Sequence, residues 1–222
     1  MCRNLRPGQN ASQLEVEFDA RFHRAEALVY KKHFVNGHEH LRVPIICDKA
    51  PDKIVMGLWG LIPSWSGNMN YEDFYKKQAQ EHRDTLMARI EDVETKVSYR
   101  DSLNNRCIIL LESFKEWQHV RRVNRLDKIS YEISHPESKY MAVAGLYQLT
   151  NGKLTFTLLT TEANELMAEI HNSAKRMPVI LNKLEAKTWL RGAPKELFYD
   201  RSRIQLVAHP ENQQPTQNVI YL

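Results

Sequence analysis

The sequence predicts a single α+β domain spanning 1–222, with a largely antiparallel sheet and flanking helices. Short apolar runs rich in β-branched and aromatic residues recur along the chain, and Asn151-Gly152 joins two of them as a hairpin turn. Only short helical patterns lie between these runs, and no repeat, low-complexity segment or long linker divides them.

Taken in order, residues 14–30 mix alternation with helical spacing and fit either element. Residues 41–46 (LRVPII) and 54–62 (IVMGLWGLI) read as strands. The charged stretch 70–83 places Tyr71, Phe74 and Tyr75 at helical spacing, which predicts a surface helix started by Asn70 or Asn68. A short helix or turn over 97–105 leads into CIILL (107–111), an unbroken apolar run expected as a buried strand. The basic stretch 119–128 (HVRRVNRLDK) reads as a solvated hairpin or as a phosphate-facing patch. Residues 140–150 and 153–161 flank the Asn-Gly turn and form the clearest hairpin. Thr161 is positioned to N-cap a helix over 162–171, Pro178 bars a helix before 179–181, and a last helix (184–192) ends at Gly192.

A length of 222 residues suffices for one large domain. No run approaches the ~20 apolar residues of a membrane span, and Met1–Gln13 is too polar for a signal peptide. A cytoplasmic, monomeric protein off the membrane is expected. Cys2, Cys47 and Cys107 lack paired-ligand spacing, so neither a disulfide framework, nor a metal site, nor a cofactor is indicated. The net charge of +4 admits a nucleic-acid partner without requiring one.

The N-terminus carries the sharpest chemistry. Removal of Met1 would leave Cys2 with a thiol and an α-amine on adjacent carbons, near pKa ~8.5 and ~7.7–8.0. An aldehyde can form an imine with such an amine, and the thiol can close onto it as a thiazolidine. An amide carbonyl could instead meet the thiolate as nucleophile. Trp59 to Trp65 (WGLIPSW) is either an aromatic stacking platform or a core strand. Glu112 and Glu116 alternate with aromatics, which can raise a carboxyl pKa, or they lie exposed past a strand. His171 and Arg176 could pair an acid/base with an anion ligand, and Arg89 is an anion ligand or half of a surface ion pair.

Taken together, these stretches resemble the SRAP family (SOS response-associated peptidase-like proteins). The resemblance runs from Cys2 to at least Leu181. It rests on Met-Cys at the start, WGLIPSW at 59–65, and an Asn-Ala-Arg-x-Glu segment matched in part at 87–91. The Arg-Cys strand ending in Glu-Trp matches at 106–117, Ala-Gly-Leu at 144–146, and the histidine leading to Arg-Met-Pro at 171 and 176–178. It implies a barrel-like core and a sensor of abasic sites in single-stranded DNA. Cys2, freed of Met1, would form a thiazolidine crosslink that shields the lesion. The family's peptidase label would then refer to release of Met1. The resemblance further implies Glu116 and His171 as catalytic residues, for proton transfer and sugar ring opening. Arg89, Arg100 and Arg176 would contact DNA, and Trp59 and Trp65 would border the cleft and stack on bases.

The chain departs from the pattern at Met87, where the family has an asparagine with an amide donor, and at Arg3, Asp92, Ser113 and Lys115. It also has four residues between His171 and Arg176 where many members have one. Two other classes fit the same N-terminus: a non-covalent single-stranded DNA-binding module, and an amidohydrolase using Cys2 as N-terminal nucleophile.

Overall fold

The structure is a computed structural model that describes residues 2–24, 28, 30, 33–67, 69–81, 83–123 and 125–211; Met1 and the alternative helix start Asn68 lie outside them. Its axis is β7 (Arg106–Arg122). Residues 106–111 of this strand lie between β4 (Arg42–Cys47) and β9 (Met141–Thr150). Residues 111–122 instead pair with β1 (Asn4–Pro7) and β8 (Arg125–Ser134). The apolar run at 107–111 thus marks only the inner part of a longer strand. Its outer part mixes buried, half-buried and exposed residues, so no unbroken apolar signal announces it.

From β9 the chain turns at Asn151-Gly152 into β10 (Lys153–Glu162), which reaches β5 (Ala50–Trp59), the hairpin partner of β4. The path β7–β4–β5–β10–β9–β7 therefore closes into a barrel. Its wall is packed by Ile45, Ile109, Val143, Phe156 and Leu158, all fully buried. Most ladders are antiparallel. The exceptions are β5 with β10, β5 with β2 (Arg21–Phe22), and β10 with β6 (Met87–Arg89).

The seam between β5 and β10 is short, pairing Leu58 with Thr155 and Trp59 with Phe156. Gly60 then bends the chain at φ 118°, a conformation that favours glycine. Threonine side chains continue the seam past this bend. Ile62 N–H donates to Thr155 Oγ1 at 3.0 Å, and Thr150 Oγ1 donates to the Ile62 carbonyl at 3.1 Å.

Shorter strands complete the sheet: β3 (Val35–Asn36) on β1, β11 (Arg176–Pro178) on β10, β12 (Ile180–Leu181) on β9 and β13 (Val207–Pro210) on β8. The ambiguous segment at 14–30 contains the end of α1 (Ala11–Phe18) and then β2. The surface helix forms as α2 (Tyr71–Gln80), with the Asn70 side chain accepting from Asp73 N–H. The basic stretch is the tip of the β7–β8 hairpin.

One helix start is corrected. Thr161 remains in β10, where its hydroxyl contacts Glu91 Oε1 at 3.0 Å and donates to the Tyr199 carbonyl at 2.8 Å. The cap of α3 (Glu165–Ile170) is Asn164, which accepts from Met167 N–H. The last helix, α4 (Lys183–Leu190), starts at a capping box formed by Asn182 and Glu185. No helix among the described residues is long and apolar enough to cross a membrane.

Candidate active site

Backbone pairing brings Cys2 to β7. Asn4 pairs with Lys115 and Leu5 with Phe114, so continuing this register carries Cys2 alongside Glu116 and Trp117. The segment is held from its other side as well. Gly37 N–H donates to the Arg3 carbonyl at 2.8 Å, and Asn36 donates to the Asn4 side chain at 3.1 Å. A Cβ at Gly37 would stand 2.8 Å from Leu86 Cδ1, so a larger residue there would push the Leu86 side chain aside. Cys2 is only 2% exposed, and burial, followed by the nearby Glu116 carboxylate, pushes its thiol pKa up.

Glu116 is equally buried, and the loss of hydration raises its carboxyl to about 7. His171, at the C-terminal end of α3, brings Nε2 to 4.0 Å from Glu116 Oε2. Its Nδ1 lies 2.9 Å from the Arg176 carbonyl and 3.3 Å from the Arg176 N–H nitrogen; the carbonyl contact is the shorter, which favours the proton on Nδ1 and a lone pair on Nε2. Burial lowers the imidazole pKa. Near neutrality the site therefore holds a thiol, a carboxyl poised between acid and base, and a neutral imidazole.

A residue without a sequence signal holds this pair together. Asn172 Nδ2 donates to the His119 carbonyl at 2.8 Å, and its Oδ1 accepts from His119 N–H at 3.0 Å. One amide side chain thus takes the place of a neighbouring strand on the edge of β7 beyond β1. It ties the turn carrying His171 to the strand carrying Glu116. Asn172→Ala is expected to cost about 1–3 kcal/mol and, by admitting water, to lower the Glu116 pKa toward the ordinary carboxylate range. A ¹³C NMR titration of the Glu116 carboxyl checks this, and an unchanged titration would remove the bracing role.

The arginines divide between scaffold and surface. Arg176, expected as a phosphate ligand, has both Nη atoms engaged within the protein, while its buried Nε has no hydrogen-bond partner among the described residues. Nη1 and Nη2 donate to Glu91 at 2.9 and 2.7 Å, and Nη2 also donates to the Thr160 carbonyl at 2.7 Å. Arg89 is exposed at the end of β6 and lines a cavity of about 450 Å³ with Glu91, Asp92, Glu162, Lys175 and Arg176. Arg100 is exposed and has Asp101 within 3.9 Å.

The tryptophans divide in the same way. The stacking role expected of Trp59 is corrected: it is fully buried and donates from Nε1 to the Leu86 carbonyl at 2.9 Å. Trp65 is 53% exposed and donates to the Val97 carbonyl at 3.3 Å. It lies near Arg100 in space, since Ser64 donates to Asp101 at 2.6 Å. Met87 is buried in the same apolar cluster as Cys2.

The family model for SOS response associated peptidase (SRAP) matches residues 1–216. Abasic site processing protein YoqW of Bacillus subtilis (strain 168) is 35% identical over 167 residues, covering 72% of this chain and 67% of that protein. Abasic site processing protein HMCES of Xenopus tropicalis is 31% identical over 158 residues, covering 60% and 43% respectively. A crystal structure of a Bacteroides thetaiotaomicron protein superposes with a TM-score of 0.78 at 24% identity, covering 96% of this chain and 93% of that one; this likeness concerns the fold alone. With its model matched from the first residue through nearly the whole chain, the protein belongs to the SOS response associated peptidase (SRAP) family.

Proposed function

We propose that the protein recognises abasic sites in single-stranded DNA and captures them covalently through Cys2 once Met1 is removed. The observation that carries this reading is the buried Glu116–His171 pair beside the Cys2 thiol. Its relatives YoqW and HMCES are both named for abasic site processing.

The chemistry follows from the protonation states. An abasic sugar is a cyclic hemiacetal in equilibrium with an open-chain aldehyde. His171 Nε2, neutral and unprotonated, accepts the anomeric hydroxyl proton as the ring opens and returns it to the ring oxygen. The Cys2 amine adds to C1′ to give a carbinolamine. Glu116 in its acid form protonates the carbinolamine hydroxyl, which leaves as water and yields an iminium ion. The resulting carboxylate takes the proton of the Cys2 thiol, and the thiolate adds to C1′ to close the five-membered ring. One water is released, the amine remains as a secondary amine, and Glu116 regains its proton. A carboxyl near pKa 7 suits both transfers at neutral pH.

Arg89 and Arg100 would bind the phosphates on either side of the lesion, and Trp65 would offer a face to a flanking base. Met87 would pack against the sugar without the hydrogen bond that an amide donates.

The test uses Met1-processed protein, verified by intact mass, and an oligonucleotide carrying one abasic site. A slow band that survives heating on a denaturing gel is expected, and it should vanish with Cys2→Ala and with undamaged DNA. Native binding without such a band would reduce the protein to a non-covalent module. Loss of both would leave the amidohydrolase chemistry of an N-terminal cysteine.

A further inference from the structure

The β7–β8 hairpin carries a feature the reaction at Cys2 does not use. Between His119 and Lys128 it holds Arg121, Arg122, Arg125 and Lys128 against the single carboxylate of Asp127, a net charge of +3 in a chain whose total is +4. The rest of the molecule is therefore close to neutral. This charge sits on an extended arm, with Arg122 and Arg125 largely exposed and Val123 at the turn 99% exposed.

The cations are arranged at a cost to the fold. Register places Arg122 directly opposite Arg125, and like charges at such a position repel. Asp127 is shared between them, at 2.7 Å from Arg122 and 2.8 Å from Arg125, and one carboxylate cannot neutralise two guanidiniums. Arg121 and Lys128 have no ion-pair partner among the described residues, and they project from the other face of the hairpin. An arm that gathers like charges in this way is suited to an external polyanion.

Its position says which one. The arm continues the strand that carries Glu116, and six residues of strand at ~3.4 Å each put Arg122 about 20 Å from that carboxyl. Asn172 fixes its base against the turn carrying His171. We infer that the outer half of this hairpin is a phosphate-binding arm. It holds the DNA strand flanking the lesion, several nucleotides from the reactive centre. This inference rests on the reading that Cys2 captures an abasic site. It enlarges the interface beyond Arg89, Arg100 and Trp65.

The test compares the parent protein with the double variant Arg121→Ala, Lys128→Ala, using a lesion-centred trinucleotide, which cannot reach the arm, and a longer lesion-centred single strand. The variant is expected to crosslink the trinucleotide at the parental rate. It is expected to bind the longer strand roughly tenfold more weakly near 0.1 M salt, with a log K against log [salt] slope shallower by about 1.4 for two lost phosphate contacts. Arg121→Lys with Lys128→Arg should restore the slope. Equal slopes for parent and variant would overturn the arm. Absence of crosslinking by the parent itself would overturn the covalent reading instead, and the slope on undamaged single strands would still decide the arm.

Discussion

Glu116→Gln is expected to make the protein more stable above pH 7 while removing the proposed crosslinking activity. The ordinary carboxyl value is 4.5, and burial raises it to about 7 in the folded state. Between those values the unfolded chain has released its proton and the folded chain has kept it, so stability falls as pH rises across the window and levels off above it. A rise of that size corresponds to about 3 kcal/mol. Glutamine is neutral in both states and removes this slope. Urea unfolding at pH 4 and at pH 8 should therefore show a gain of about 3 kcal/mol at pH 8 and little at pH 4. An equal gain at both would mean that packing, not ionisation, is responsible. The same variant should lose at least a hundredfold in crosslinking rate, since no carboxyl remains to shuttle the proton. Higher stability with lower activity is the signature of a site that keeps an acid where water cannot reach it.

Glu91→Ala is expected to act in the opposite sense. It would strand the buried Arg176 guanidinium, which is 8% exposed and otherwise bonded chiefly to Thr160. Breaking a buried pair costs about 3–5 kcal/mol, and the partly exposed Glu91 carboxylate brings the expectation to about 2–3 kcal/mol. The double replacement Glu91→Leu with Arg176→Met should recover most of that loss, because no unpaired charge remains. Thermal unfolding of the single and double variants checks this; a double variant as unstable as Glu91→Ala would place the cost elsewhere. Because the Arg176 carbonyl also accepts from His171 Nδ1, the single variant should slow capture as well.

These two residues illustrate what the sequence could and could not reveal. The Asn-Gly hairpin, the strand read at 41–46 and the helix after Asn70 are written in local patterns, and they form, the strand one residue later at Arg42–Cys47. Cys2, Glu116 and His171 stand out as reactive types, and register brings Cys2 to Glu116 while α3 brings His171. The Arg176–Glu91 pair is different, since Arg176 lies on β11 and Glu91 in the turn after β6, far apart in the chain, and nothing local distinguishes it from two surface charges. Trp59 and Trp65 belong to one short motif, yet the bend at Gly60 breaks the strand alternation between them. Side-chain parity therefore could not tell which one faces solvent. Asn172 was invisible for a further reason: its role depends on an empty place on the edge of β7, which exists only after the sheet has formed.

The short seam between β5 and β10 also bears on how the chain reaches this state. The other barrel contacts include tight hairpins such as β4–β5 and β9–β10, which can zip from their turns. The seam instead joins strands separated in sequence by β6, β7, β8 and β9. Closing so large a loop costs entropy before any of its contacts form. With two backbone pairs and a few threonine hydroxyls to reward it, the seam acts as a clasp fastened late in folding. On that account WGLIPSW has a kinetic task apart from DNA: Trp59 and Gly60 lock the cylinder, and Trp65 is carried to the rim as the clasp shuts.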